Sequence, residues 1–357
     1  MARFVTLLSR APLAFVPLAL GLAWLAPTRH NAIFFASVVA IIPLAGYIGR
    51  ATEQLAAQLG AGMGGLLNAT FGNAAELIIG ALALHKGLTD LVKASITGSI
   101  IGNVLLVFGA SALLGGVRHH TQRFNRTAAG MGTTMLLLSA IGLGVPAVFH
   151  RLAQSQAARE LRLDTEIAVV LFLTYGANLV FTLGTHRQLF GAAEATEADP
   201  GLPSVRSSVL VLVASTAAVA IVSELLVDAV SHAAESLRMS QLFVGVIIVA
   251  LVGNAAEHYS AIVLARRDKM DAAIGIAVGS STQIALFVAP VLVFLSYVIA
   301  PAPMDLLFTT FELVAIGLSV LSIAFIAHDG ETNWMEGVQL LAVYAILALG
   351  FYFLPAG

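Results

Sequence analysis

The sequence predicts an all-α integral membrane protein with about eleven transmembrane helices. Of its 357 residues, 59% are hydrophobic and only 11% are charged, whereas soluble globular domains carry about 25% charged residues. The apolar residues form continuous runs close to the roughly 20 residues that one membrane-spanning helix needs. Because these runs do not alternate between apolar and polar positions, as the strands of a membrane β-barrel do, the spans are expected to be helical.

Eleven apolar runs follow one another along the chain. They cover residues 11–27, 31–49, 65–85, 91–115, 126–147, 165–185, 207–231, 241–265, 272–299, 304–327 and 334–354. The first run has no suitable cleavage site after it, so we interpret it as a helix and not as a signal peptide. Most Lys and Arg residues of the loops fall on the side of the N-terminus, which predicts a cytoplasmic N-terminus and an outside C-terminus. The expected location is the plasma (inner) membrane of a prokaryote.

Two segments of the chain repeat one another. Residues 72–76 and 253–257 both read GNAAE, and a Gly-Ser pair follows each at the same distance, as Gly98-Ser99 and Gly279-Ser280. The repeat assigns five spans to each half and leaves the first span as an extra helix. Because five is odd, the two halves cross the membrane in opposite directions, which predicts an inverted repeat. The predicted organisation is an extra N-terminal helix in 1–30, a first five-helix repeat in 31–190, a short acidic cytoplasmic linker in 191–206 and a second five-helix repeat in 207–357.

Two acidic residues lie inside apolar spans at equivalent positions of the repeat. Glu76 belongs to the third span and Glu257 to the eighth. An acid at mid-bilayer costs about 2.5–3.5 kcal/mol on insertion scales, so such residues usually face a cavity and mark an ion path. The alternative, two protonated structural acids bonded to neighbouring helices, would have to arise twice at matching positions. We therefore expect the pair to meet near the membrane midplane and to bind cations.

Neutral polar residues accompany both acids. Each motif asparagine lies three residues before its glutamate, on the same helix face, and the preceding glycine weakens the helix there. The predicted neutral ligands are Asn73, Asn254, Ser99, Ser280, Asn103 and Gln283. For the two serines, helix packing is an equally good interpretation. An all-oxygen site of this kind suits a hard cation such as Ca²⁺, with His258 as a hydrogen-bonding neighbour.

The charges of the predicted site also suit exchange. Two glutamates neutralise one divalent cation, and two protons neutralise the same two glutamates. Glu76 and Glu257 are therefore the predicted proton-coupling groups as well as metal ligands. Weaker candidates for a proton path or a gate are Glu224, Glu312, Asp228 and Glu53. Each of these four acids could instead pair with polar neighbours near a helix end.

Three stretches of the sequence resemble the calcium/proton exchanger family of the cation/Ca²⁺ exchanger superfamily. They are GNAAELIIGALALHKG, GNAAEHYSAIVLARRDKMDAAIGIAVGSSTQIALFVAP and the C-terminal DGETNWMEGVQLLAVYAILALGFYF. The resemblance implies an eleven-span antiporter that exports Ca²⁺ against proton entry, with metal ligation centred on Glu76, Glu257 and their motif asparagines. The family's acidic stretch between spans six and seven is short here, running from Glu194 to Asp199.

The leading hypothesis is a secondary-active Ca²⁺/H⁺ antiporter that works by alternating access, without a cofactor and without enzymatic activity. A Na⁺-driven exchanger of the same superfamily and, less favoured, a cation channel are the alternatives. The sequence contains no P-loop, which argues against a self-contained ATP-driven pump. Its net charge of −2 carries no basic footprint for a nucleic acid. The expected partners are Ca²⁺, H⁺ and the lipid bilayer, and the formation of a homo-oligomer stays open.

Overall fold

The computed structural model describes residues 11–59, 67, 70–152, 157–186 and 203–354, and these residues form a helical bundle. A 3₁₀ turn (Ala11–Ala14) precedes the first helix. The helices are α1 (Phe15–Leu25), α2 (His30–Leu59), α3 (Ala74–His85), α4 (Thr89–Gly116), α5 (Arg126–Leu152), α6 (Ala157–Val180), α7 (Val205–Ser236), α8 (Gln241–Gly253), α9 (Ala255–Ala265), α10 (Met270–Ile299), α11 (Thr310–Ile326) and α12 (Trp334–Phe353). Two short antiparallel strands, β1 (Gln122–Arg123) and β2 (Glu331–Thr332), pair with Gln122 opposite Thr332.

Every predicted apolar run contains a helix, but not every helix is long enough to cross a membrane alone. Within the described residues, seven helices have the length and composition of a membrane span, and an eighth span results if α8 and α9 are counted as one bent helix. The shorter apolar helices are α1, α3 and α11, with 11, 12 and 17 residues. Apart from β1 and β2, the structure is therefore helical, with seven or eight clear spans among the described residues, and the predicted count of eleven is not confirmed.

The tenth run was predicted to begin as a helix at residue 304, and this boundary is wrong. The segment before Thr310 is extended, and the ammonium of Lys93 on α4 donates hydrogen bonds to Asp305 Oδ1 and to the Leu307 carbonyl, both at 3.0 Å. Thr309 then caps α11 in a reciprocal capping box with Glu312. These polar contacts outweigh the helix preference of the apolar residues before Thr310, because they satisfy backbone groups that would otherwise lie unpaired.

The helices that carry the two repeat segments pack on two long helices. The long helices α2 and α7 pack against each other along their length, antiparallel, with Ser236 donating to Asn31 at one end and Gln58 to the Pro203 carbonyl at the other. Helix α3 packs on α7, and α9 packs on α2. The helices that carry the two GNAAE motifs are therefore each held by one of these two long helices.

Helices α4 and α8 cross at very close range. A Cβ atom built on Gly98 would lie 1.9 Å from the Val246 carbonyl oxygen, and one on Gly245 would lie 2.5 Å from Ala94 Cβ. Small residues allow such close approach of helix backbones in membranes. Among the described residues, the repeat partner of Gly98, Gly279, has nothing within 4 Å of its Cβ position. The two members of this glycine pair therefore differ in how closely a described helix approaches them.

We expect Gly98→Ala to destabilise the protein, because the added methyl group collides with backbone that cannot move aside without separating α4 from α8. Overpacking of this kind typically costs about 1–3 kcal/mol, and it should lower the thermal unfolding midpoint in detergent. The matched control is Gly279→Ala, which adds the same methyl group where no atom of the described residues lies within 4 Å and gains helix propensity. Equal unfolding midpoints for the two variants would contradict the close crossing.

Candidate cation site

Both motif asparagines lie where a helix is interrupted. Asn254 separates α8 from α9, which are bent by 62° relative to each other, and its backbone has φ −91° and ψ 6°. Asn73 precedes α3 with φ −107° and ψ 29°. In both halves the glutamate therefore lies in the first turn of a new helix. The N-terminus of a helix carries a partial positive charge, so this position favours a carboxylate inside the bundle.

Each glutamate has one carboxylate oxygen without a protein partner. Among the described residues, Glu76 Oε2 and Glu257 Oε2 are both buried and accept no hydrogen bond. The other Glu76 oxygen faces the second half of the chain, since a Cβ on Gly253 would lie 3.0 Å from Glu76 Oε1. Buried polar oxygens are nearly always paired in folded proteins. The two unpaired carboxylate oxygens at matching places are therefore the candidate positions for a cation or a proton.

The motif asparagines bond across the two halves of the chain. Asn73 donates through Nδ2 to Gln283 Oε1 at 2.5 Å, and Asn254 donates through Nδ2 to Ser99 Oγ at 2.9 Å. Both asparagines are almost completely buried. A first-half residue thus pairs with a second-half residue on each side of the site, which holds the two interrupted helices in one common arrangement.

The remaining neutral residues complete this network. Asn103 donates to Asn254 Oδ1 at 3.2 Å and to Ser280 Oγ at 3.1 Å, and Ser280 Oγ lies 3.4 Å from Asn73 Oδ1. His258 Nε2 donates to Asn103 Oδ1 at 3.1 Å, which is the neighbouring role expected from its position after Glu257. All six predicted neutral residues are therefore brought together.

Local helix widening accompanies the network. The π-helical turn Gly102–Val107 in α4 contains Asn103, and the π-helical turn Ile284–Val288 in α10 directly follows Gln283. A π-helical turn inserts an extra residue and is often found at functional sites. The two turns occupy equivalent positions of the sequence repeat, and both place an amide side chain beside the interrupted helices.

The two glutamates differ in the size of the cavity that each of them lines. Glu257 lines a cavity of about 660 Å³, the vestibule, whose walls are formed mainly by α2, α9 and α10. Arg50 and Glu53 near the end of α2 also line it, as do Ser280 and Gln283 at the site. Glu76 instead borders a cavity of only about 10 Å³, with Ser99 in its wall. The site is therefore open towards one end of the bundle and nearly closed on the Glu76 side.

Two predicted proton-coupling residues lie apart from this network. Glu312 accepts a hydrogen bond from Thr97 at 3.0 Å and caps α11 together with Thr309, which accounts for its burial. Glu224 is exposed on α7 and lines neither the vestibule nor the narrow cavity. Their proposed role in proton transfer stays a prediction.

The donor set contains only two carboxylates. No group of three or more His, Asp, Glu or Cys side chains in the described part of the chain is arranged to hold a metal ion. A cation at Glu76 and Glu257 would therefore depend on amide and hydroxyl oxygens for its further ligands, as hard cations accept.

Sequence reasoning did not include Arg50 in the site. Its spacing from Glu53 and from Gly46 and Gly49 on one face of α2 is the signal that could have found it.

The sequence matches the family model described as sodium/calcium exchanger protein over residues 30–184 and 207–353. The chain belongs to this family. The exchanger is 43% identical over 360 residues to the "Ca(2+)/H(+) antiporter" of Synechocystis sp., with 96% of each chain covered. It is 47% identical over 329 residues to the "Ca(2+)/H(+) antiporter ChaA" of Bacillus subtilis, covering 91% of this chain and 93% of the other.

A solved structure confirms the fold of the exchanger. The structure of native YfkE superposes with a TM-score of 0.83 at 44% sequence identity, covering 96% of this chain and 98% of YfkE. The resemblance to calcium/proton exchangers that the repeat motifs carry is thereby confirmed at the level of the family and of the fold.

We expect Glu76→Gln and Glu257→Gln to abolish the thermal stabilisation that Ca²⁺ gives to the purified exchanger, because each change removes a charge that the cation needs. Ligand at 100 times its dissociation constant stabilises a protein by about 2.7 kcal/mol, which a melting curve resolves. The control is Glu312→Gln, which weakens a helix cap and should lower the melting temperature while the Ca²⁺-dependent increase remains. A full Ca²⁺-dependent increase in both glutamine variants would exclude these glutamates as ligands.

Proposed function

We propose that the exchanger is a secondary-active antiporter that exchanges Ca²⁺ for H⁺ by alternating access at Glu76 and Glu257. The observation that carries the proposal is the pair of buried, unpaired carboxylate oxygens within a network of amides and hydroxyls shared by both halves of the chain. The relatives named above as Ca(2+)/H(+) antiporters support the same assignment. No cofactor and no catalytic centre are part of this proposal.

The coupling between the two ions follows from charge. Two carboxylates without a counter-charge are expensive to bury, so the site favours states in which one Ca²⁺ or two protons neutralise them. The two loads are mutually exclusive because they use the same oxygens. Transport of one ion then requires the return of the other, which is the defining property of an exchanger.

The neutral residues take the role of further ligands in this proposal. Carbonyl oxygens of Asn73, Asn254 and Gln283 and the hydroxyls of Ser99 and Ser280 would replace water around the cation, with Asn103 orienting the network. Ca²⁺ accepts six to eight oxygen ligands in flexible geometry. The amides already bond to one another across the two halves, so they can change partners when the ion arrives.

The proposed architecture is one extra N-terminal helix followed by two inverted five-helix repeats, with eleven spans in all. The paired interruptions at Asn73 and Asn254 and the paired π-helical turns in α4 and α10 support it. The extra helix is α1, and the repeats correspond to residues 31–190 and 207–357. Most of the acidic linker, including Glu194 and Asp199, lies outside the described residues. In this arrangement the N-terminus is cytoplasmic, the C-terminus is outside, and the vestibule faces the cytoplasm of a prokaryote.

The alternatives receive less support. A Na⁺-driven exchanger needs several Na⁺ ions per Ca²⁺ for a useful gradient, and the described site offers only two carboxylates. A channel needs a continuous path, whereas the cavity beside Glu76 measures about 10 Å³. Proton-driven exchange requires neither additional acids nor a continuous opening.

A pH difference alone should drive Ca²⁺ uphill in proteoliposomes that contain no sodium, with the membrane potential clamped. Raising the proton concentration on the side where Ca²⁺ binds should raise the half-saturating Ca²⁺ concentration, because protons and Ca²⁺ compete for Glu76 and Glu257. Transport that ignores the pH difference and begins when sodium is added would favour the Na⁺-driven alternative. Flux that survives the collapse of every counter-gradient would favour the channel.

Asn73→Ala and Asn254→Ala should weaken Ca²⁺ binding without removing exchange, since they delete neutral ligands and leave both charges in place. We expect an increase in the half-saturating Ca²⁺ concentration of about 10- to 150-fold, because loss of a hydrogen bond to a charged group typically costs about 1.5–3 kcal/mol. Flux measured over a Ca²⁺ titration tests this expectation. An unchanged half-saturating concentration in both variants would return the asparagines to a packing role.

A further inference from the structure

The vestibule contains a carboxylate that the proposed exchange reaction does not use. Glu53 on α2 lines the same cavity as Glu257, and its side chain is exposed to that cavity. In the described part of the chain, no ion pair or hydrogen bond involves Glu53. Its negative charge is therefore available to ions that enter the vestibule.

One face of α2 forms the wall that holds Glu53. Gly46, Gly49, Arg50 and Glu53 all line the vestibule and follow the spacing of a single helix face. Gly46 and Gly49 place no side chain in the vestibule, and among the described residues a Cβ on either of them would have nothing within 4 Å. Glu53 is the last of these four residues along α2, towards the end of the helix at Leu59.

Arg50 does not cancel the charge of Glu53 by direct contact. Its guanidinium carbon lies 4.5 Å from the centre of the Tyr47 ring, in a cation–π arrangement. Arg50 and Glu53 are three residues apart on one helix and could form an ion pair, but no such pair is present between them. The two side chains therefore present separate charges of opposite sign to the vestibule.

Glu53 and Arg50 lie at one end of the α2–α7 pair only. At the other end, next to Asn31, α7 carries the exposed acid Glu235, which does not line the vestibule. Charged side chains that line a cleft change the local concentration of ions and their rate of association, so the Glu53 carboxylate favours cations in the vestibule and Arg50 disfavours them. An acid at the mouth of the vestibule therefore acts on ions from one side of the membrane.

We propose that Glu53 is an entry carboxylate, which attracts the divalent cation into the vestibule and holds it briefly before it reaches Glu257, while Arg50 opposes this attraction. The inference rests on the proposed exchange function. It adds a positioning residue that sets the apparent Ca²⁺ affinity on the vestibule side and does not take part in the exchange step.

The test measures Ca²⁺ flux in membrane vesicles of both orientations, with Ca²⁺ presented first to the vestibule side and then to the opposite side. Glu53→Gln should raise the half-saturating Ca²⁺ concentration on the vestibule side by roughly three- to tenfold, with a nearly unchanged maximal rate. Arg50→Gln should lower this half-saturating concentration. Glu53→Asp keeps the negative charge and should give a value close to that of the wild type. Added salt should raise the wild-type value and affect Glu53→Gln much less, because salt screens exposed charges.

The matched control is Glu235→Gln, which removes an exposed acid from the opposite end of the helix pair and should leave the vestibule-side value unchanged. An unchanged value in Glu53→Gln, an equal change on both sides, or a loss of maximal rate alone would each overturn the entry role. If Glu53→Gln does not fold, Arg50→Gln decides the test. A vestibule-side half-saturating Ca²⁺ concentration in Arg50→Gln at or above that of the wild type would overturn the entry role of Glu53. Wild-type vesicles without any pH-driven Ca²⁺ flux would instead reject the proposed exchange function.

Discussion

The main constraint on this structure is the free-energy cost of burying two carboxylates in a membrane bundle that offers them no protein counter-charge. Glu76 and Glu257 each keep one buried oxygen unpaired, and no described cluster of further acids or histidines surrounds them. What stabilises them is the start of a helix beneath each one, created by the interruptions at Asn73 and Asn254. In the proposed exchange, the counter-charge comes from the transported ion, and the broken helices, the cross-bonded amides and the vestibule are consistent with that role.

Much of this site could be predicted from the sequence because its determinants are local. The GNAAE repeat places each glutamate three residues after an asparagine. The glycine before that asparagine makes an uninterrupted helix unfavourable. The amides and hydroxyls stand out in otherwise apolar spans, where a polar group needs a partner. The apolar runs also locate the described helices, because a helix satisfies its own backbone hydrogen bonds in an apolar environment. The repeat then indicates which residues of the two halves meet, and the contact between Glu76 and Gly253 follows that pattern.

The features that sequence reasoning could not supply arise from packing between distant segments. Helix α11 begins late because Lys93 binds the extended segment before it, and no local pattern near Thr310 reports a lysine on another helix. The unequal access of the two glutamates is equally absent from the sequence, because the two repeated segments are alike in sequence while the cavities beside their glutamates differ in volume.

The crossing of α4 and α8 has a consequence for ionic radius. Because the Gly98 position leaves no space between the two backbones, the distance between these helices is set by direct contact and not by adjustable side chains. Ser99, one residue further along α4, bonds to Asn254 just beyond the end of α8, so the site is built next to a rigid junction. In the proposed site, ions of different size would therefore meet two helix backbones whose spacing is fixed at this point. Discrimination among divalent ions would then depend on the carboxylate, amide and hydroxyl side chains, because these can still rotate.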